Sequence, residues 1–402
     1  MTVGAGLTSP AIIRLAFALF AVALASQAAS PVLLYYTYDL DLSATTLTAF
    51  FAVYALGLVP ALLLGGAHSD KIGRRAVVVP SVFLVFCSVL AVESAALFGE
   101  SALMGARFLQ GLTAGAVFTV GTVWLRELAG TEHAQRAAMI ASGVMAAGFA
   151  SGPLATGFLV EWAPWPKVIP MLLPAILIAL ALVGLRPVPE TVNERRMGRI
   201  QLGVPREALH GFLAYLMPIA LLVYTPAMLV LTIFPLQIAK TGLGAIYALV
   251  GVSIFLVQGM AAVAAVFARR WGASICGWLA GLLCALGTVV GYFAVQPGGW
   301  LLLIPASLLI GFSGGLAMTG GLMVADSLAP PDRRGALVSM FYIVVYFGFM
   351  VPTIVSVLFG KESLERGSTV LVHAAIAAVI TAVLAVPGRA VLRARRAATR
   401  SA

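Results

Sequence analysis

Charge is what this sequence has least of. Only 10% of its 402 residues are Asp, Glu, Lys or Arg, against 61% that are hydrophobic, and the mean hydropathy is +1.04. Soluble domains carry about 25% charged residues, so a chain of this composition would not stay dissolved as a globule. Histidine and cysteine are scarce too, at four and three residues. Cys87, Cys276 and Cys284 lie inside apolar runs, and neither HExxH nor CxxC occurs, which sets aside the common metal and redox sites. No glycine-rich phosphate loop is present, which argues against ATP drive from within this chain. The ten-residue alternation of barrel strands is missing as well.

What the sequence has is long apolar runs. A hydrocarbon core about 30 Å thick asks about 20 apolar residues of a helix. Twelve runs qualify: 11–36, 44–66, 76–97, 101–126, 137–161, 166–186, 208–236, 243–267, 273–295, 299–326, 335–359 and 367–389. The expectation is an all-α membrane protein with twelve transmembrane helices. In the first run, LAFALFAVALASQAAS follows Arg14 and ends in small residues, so a cleaved signal is the alternative there. Apolar character continues to Tyr36, and the run is kept as the first helix.

The formal net charge of +10 points to topology, not to nucleic acid. Twenty of the 25 Lys and Arg fall in the N-terminal lead, the even-numbered connections and the tail. Lys167, Lys240, Lys361 and Arg366 are in odd connections, and Arg107 is inside a run. That bias is the positive-inside pattern. It places both termini in the cytoplasm and the chain in the cytoplasmic (inner) membrane, where edge arginines can reach anionic headgroups.

The chain repeats itself at an offset of about 200. RFLQGLTAGAVFTVGTVWLREL from 107 aligns with SLLIGFSGGLAMTGGLMVADSL from 307, so Gly111 meets Gly311, Gly115 meets Gly315, and Thr119 meets Thr319. DKIG at 70–73 meets RRWG at 269–272. Chance likeness among Gly/Ala-rich helices is the alternative, but two matches at one offset weigh against it. The organisation expected is a six-helix bundle over 1–188, a cytoplasmic linker over 189–207, a second bundle over 208–390 and a basic tail over 391–402. Paired six-helix bundles are a transporter plan with the substrate near the midplane.

Between the second and third runs stands GGAHSDKIGRR. Gly66 and its neighbour Gly65 can end a helix, and Gly73 permits a tight reversal. Arg74 and Arg75 open the next helix, where the dipole disfavours cations, so Asp70 or Glu127 should compensate them. Asp70 could instead reach the N-terminus of a helix from the other half; a merely solvated turn is the plainer reading. This stretch, GxxxDKxGRR, resembles the signature loop of the major facilitator superfamily. Arg107 with Leu109, Gln110 and Gly111 is similar to the helix-4 motif of its proton-coupled members. Gly148, Gly152, Pro153 and Gly157 resemble the helix-5 antiporter motif, and PET at 189–191 fits as well. Thr156 stands where that motif has a glycine, and Arg269 replaces the signature aspartate in the second half. The resemblance implies twelve-span drug:proton antiporters, with two pseudo-symmetric six-helix bundles. It also implies a switch loop (Gly66, Asp70, Lys71, Gly73, Arg74, Arg75, Glu127) and a helix-5 face packed on helix 8, near Gly251 and Gly259.

Arg107 should face the interior and find a partner, because a cation within the membrane costs about 2.5–3.5 kcal/mol on insertion scales; snorkelling is the alternative. By resemblance it would tune proton binding at a nearby acid, for which Glu93 and Asp39 are the candidates. No Asp or Glu lies in the middle of helices 1, 4, 7 or 10. Cavity candidates on those helices are Gln27, Tyr35, Gln110, Thr113, Trp124, Tyr224, Ser313 and Thr319, each of which could equally be a packed residue. The function expected is proton-driven export of small apolar or amphipathic compounds, with no cofactor beyond the proton gradient and no obligate protein partner. An uptake symporter or facilitator is the alternative. A membrane enzyme, which would cluster His, Asp, Ser or Cys in its helices, or a receptor, is more remote.

Overall fold

The computed structural model describes residues 7–39, 42–93, 95–192, 203–329, 333–359 and 368–385. Among them there is no strand, and the helices follow the apolar runs. They are α1 (Pro10–Asp39), α2 (Ala44–Ile72), α3 (Arg74–Glu93), α4 (Ala95–Ala129), α5 (Ala134–Trp162) and α6 (Ile169–Leu185), then α7 (Arg206–Ala239), α8 (Ile246–Trp271), α9 (Ala273–Ala294) and α10 (Leu303–Leu328). The series ends with α11 (Arg334–Phe347, resuming as Val351–Phe359) and α12 (Ser368–Ala385). Nine of the described helices are long and apolar enough to cross a membrane, and Ile169–Leu185 and Arg334–Phe347 are shorter apolar ones. The expected tail, most of the linker (193–202), and Lys361, Arg366 and Arg389 lie outside the described residues.

Local chemistry sets the boundaries. Ser43 caps α2, its hydroxyl accepting from the Thr46 N–H at 3.0 Å. Gly99, at φ 80°, kinks α4 near its start. α7 carries Pro218, Pro226 and Pro235 and is wound into wider π-type turns at Phe212–Leu216 and Leu229–Ile233. The run expected to be continuous from 335 to 359 is instead broken at 348–350. Pro352 offers no N–H and its ring collides with the carbonyl four residues back, which is that of Gly348.

The chain forms two compact units, Met1–Ile200 with Tyr247–Phe255, and Gln201–Ile246 with Leu256–Ala402. In the first, α1 is buried along most of its length and packs on α5 and α6, while α4 packs on α2 and α3. In the second, α9 packs on α10 and α12, and α7 on α10 and α11. One detail recurs in both. Gly111 and Gly115 of α4 lie on the carbonyls of Tyr54 and Leu58 in α2, and Gly311 and Gly315 of α10 lie on those of Val257 and Ala261 in α8. Backbones approach this closely only where no side chain intervenes.

Candidate functional site

The 66–75 loop is held by a cluster of charges in the first unit. The Gly73 N–H donates to the Ser69 carbonyl at 2.9 Å, and its φ of 111° suits glycine alone. Arg74, 7% exposed, pairs with Asp70 at 2.6 Å and Glu127 at 2.9 Å, and its guanidinium also donates to the Ser69 hydroxyl. Two carboxylates thus face one cation at the N-terminus of α3, offsetting its unfavourable position there. Lys71 and Arg75 are exposed, and Gly66 has open space around it.

A residue with no role in the sequence reading completes this cluster. The Glu190 carboxylate accepts from the backbone N–H groups of Arg74 (3.0 Å) and Arg75 (2.9 Å), 116 and 115 residues away, and from those of Thr191 (2.9 Å) and Val192 (3.1 Å). It therefore caps α3. Burial opposes its ionisation, but these four N–H groups outweigh burial and hold the carboxyl below its ordinary value. Arg75 donates to the Arg186 carbonyl at 2.7 Å, and the fully buried Trp124 indole donates to the Pro189 carbonyl at 3.0 Å. Trp124, expected in a cavity, instead secures the PET segment. PET itself was the available signal, an acid between a proline and a threonine just after a helix.

Arg107 is fully buried in α4. It donates to the Ser26 carbonyl at 2.8 Å and to Gln110 Oε1 at 2.6 Å, and its guanidinium carbon lies 4.4 Å from the Phe50 ring centre and 4.2 Å from that of Tyr54. Ring faces attract a cation most strongly away from water. It does not snorkel, and among the described residues no carboxylate is paired with it. Asp39 pairs with Lys167 at 2.7 Å, and Tyr35 donates to it at 3.4 Å. The Glu93 side chain lies outside the described residues. Gln110, expected in a cavity, is committed to Arg107 and to the Ala25 carbonyl at 3.3 Å.

The α5 motif is divided between two neighbours, which corrects the expectation of a single face on helix 8. Gly148 lies on Phe20 and Leu24 of α1, and Gly152 on the Leu24 carbonyl. Thr156 continues that stripe, its hydroxyl donating to the Ala28 carbonyl at 2.7 Å. Gly157, five residues past Gly152, lies about 140° around the helix. It meets Tyr247 and Gly251, residues that belong to this unit, and the carbonyl of Pro153 also lies against Gly251. Gly259 has no neighbour within 4 Å of where a side chain would start. Beyond Gly157, Glu161 accepts from the Tyr247 N–H at 2.9 Å.

A cavity of about 150 Å³ lies in the second unit between α7, α8 and α10. Tyr224 and Thr319 line it, as does Gln258, which the sequence reading missed. The Tyr224 ring centre is 4.5 Å from that of Phe349 and 5.5 Å from that of Tyr346. Ser313 is buried and donates to the Ala280 carbonyl at 2.7 Å, away from this space. In the first unit Gln27 accepts from Ser30 at 3.4 Å, Tyr35 sits edge-on to Tyr247 at 5.8 Å, and Thr113 donates to the Leu109 carbonyl at 2.7 Å.

Residues 15–353 match the Major Facilitator Superfamily. Multidrug resistance protein MdtL of Escherichia coli O81 is 38% identical over 94 residues, and that of Escherichia coli O9:H4 is 37% identical over 94. Each match spans 22% of this chain and 22% of the relative's length. Three solved structures share the fold. A POT family transporter in complex with a thioalcohol-conjugated peptide has TM-score 0.76 and 13% identity, covering 93% of this chain and 95% of its own. The nucleoside transporter NupG has TM-score 0.75 and 14% identity, covering 93% and 98%. A D-xylose-proton symporter has TM-score 0.70 and 15% identity, covering 93% and 96%. With the signature loop, the paired glycine contacts and a match over most of its length, the chain belongs to the major facilitator superfamily.

Proposed function

We infer that this membrane transporter exports small, largely apolar or amphipathic compounds in exchange for protons, by alternating access. The observation that carries the substrate reading is the cavity of the second unit. Its hydrogen-bonding side chains are Tyr224, Gln258 and Thr319, and the rest of its wall is aliphatic side chain, Met318 and glycine, with no carboxylate and no cationic group among the described residues. A charged compound would lose hydration there without gaining a counter-ion, which costs several kcal/mol. Export is supported by the α5 stripe and by the local likeness to proteins named for multidrug resistance. Proton coupling is supported by Arg107: a buried cation with neutral partners opposes a proton's arrival at a nearby acid and favours its departure, so its position bears on when such a proton binds. The transporter works in the cytoplasmic membrane as a monomer, with both termini in the cytoplasm and the proton gradient in place of a cofactor.

The test uses everted membrane vesicles with an acid-inside gradient and a pH-sensitive dye. Adding an exported compound should release protons from the vesicles, and the response should vanish with Asp70→Asn, which removes one of Arg74's two carboxylates. Labelled-compound flux that ignores the gradient, or that runs with the proton, would sink the reading.

A further inference from the structure

The polar groups of the cavity between α7, α8 and α10 narrow what it takes, an inference that rests on reading this cavity as the substrate site. Gln258 shares its face of α8 with Ala261 and Ala265, three and seven residues on, and Thr319 shares its face of α10 with Gly315, four residues back; all five line the cavity. Thr232, Thr288 and Thr381 turn their hydroxyls back on the carbonyl four residues earlier. Thr319 does not. Among the described residues neither its hydroxyl nor the Gln258 amide has a hydrogen-bond partner, and neither group is sealed in the packing as the hydroxyls of Thr225 and Thr353 are. Polar groups within a protein are rarely left unpaired, so water serves these two until a compound displaces it.

Helix packing sets their spacing. Gly311 lies on the Val257 carbonyl and Gly315 on that of Ala261, so α8 and α10 run side by side in the same direction. Gln258 is therefore level with Phe312, and Thr319, seven residues farther, is about 10 Å along the axis at about 1.5 Å per residue. The Val223 carbonyl lies on Gly314, which places Tyr224 at a level between the two polar groups. Its ring, backed by Phe349 and Tyr346, gives the cavity an aromatic surface there, and a volume of about 150 Å³ has room for one ring. A glutamine amide offers a donor and an acceptor side by side, the complement of another carboxamide; an ester answers only the donor. We propose that this cavity binds a neutral single-ring carboxamide, with the amide paired to Gln258, the ring against Tyr224, and a second hydrogen-bonding group at the far end paired to Thr319.

The probe is tritiated para-hydroxyphenylpropanamide, bound to the transporter in lipid nanodiscs and read by scintillation proximity, with empty nanodiscs subtracting partition into lipid. Saturable binding is expected. Its methyl ester analogue, which lacks the amide donors, and phenylpropanamide, which lacks the hydroxyl, should each compete about two- to tenfold less well than the unlabelled probe, the worth of one neutral hydrogen bond. Gln258→Met, unbranched and of similar length, should erase the preference for amide over ester and keep that for the hydroxyl; Thr319→Val should do the reverse. Each variant is thus the other's control for folding, and the parent's two preferences need no variant at all. Absence of saturable binding, equal competition by amide and ester, or loss of both preferences together in either variant would overturn the proposal. Both preferences present in nanodiscs without gradient-dependent flux in everted vesicles would support this site and sink only the export reading.

Discussion

Placing a methyl group at Gly152 and at Gly143, two positions of the same helix, should move stability in opposite directions. At Gly152 the new Cβ would run into the Leu24 carbonyl oxygen, with the carbonyl carbon at 3.1 Å and Cα at 3.2 Å, all of it α1 backbone. Backbone cannot swing aside as a side-chain end can, so α1 and α5 must separate. Thr156 would then lose its 2.7 Å bond to the Ala28 carbonyl. Overpacking of this kind costs about 1–3 kcal/mol. At Gly143 nothing lies within 4 Å, so Gly143→Ala collects only the better helix propensity of alanine, about 0.5–1 kcal/mol in its favour. Alanine's propensity favours both variants alike, so they should differ by the overpacking alone, roughly 1–3 kcal/mol. Thermal or denaturant unfolding of the purified protein, followed by loss of monodisperse elution, reads the difference against the parent. Equal shifts for both, or a neutral Gly152→Ala, would mean that α1 and α5 are not in backbone contact along this stripe.

Three further outcomes follow from the same geometry. Glu190→Gln should loosen the α3 N-terminus by about 1 kcal/mol, a cap's worth. Because the folded carboxyl is held below its ordinary value, Glu190 contributes fully above its unfolded pKa, and the contribution is lost as pH falls through the folded value. The parent and Glu190→Gln should thus converge in stability under acid, and a gap that persists there would refute the cap. Arg107→Lys keeps the charge but cannot reach the Ser26 carbonyl and Gln110 together while lying over the Phe50 and Tyr54 rings. Unfolding should become easier by about 1–3 kcal/mol, and the pH profile of transport should shift; an unmoved profile would remove Arg107 from coupling. Asp70→Asn should leave stability within about 1 kcal/mol, because the Asp70 side chain is 39% exposed and Glu127 still pairs with Arg74, yet transport should fall steeply. Normal transport at normal abundance would show that Asp70 is only a surface partner.

What the sequence determined by itself is what depends on neighbours along the chain. Apolar run length set the helices, because a residue adds 1.5 Å to a helix wherever it sits. Gly73 announced its turn, since a positive φ is a property of one residue. The spacing of Gly111 and Gly115, repeated at 311 and 315, announced the internal repeat, and four-residue spacing keeps two positions on one face; that each face is a close helix contact came from the packing. The partner on the other side of each face was decided by the tertiary structure. The sequence reading put the helix-5 motif on one face, although a five-residue step carries Gly157 around the helix from Gly152; packing shows that one face meets α1 and the other Tyr247 and Gly251. Trp124 and Gln110 looked like cavity residues because they are aromatic or polar residues on a helix expected to line the cavity. They serve the Pro189 carbonyl and Arg107 instead, since a buried donor takes whichever acceptor the fold brings within about 3 Å. Glu190 reaches the N-terminus of α3 across 116 residues for the same reason: helix ends demand partners, and which carboxylate arrives depends on how distant segments pack.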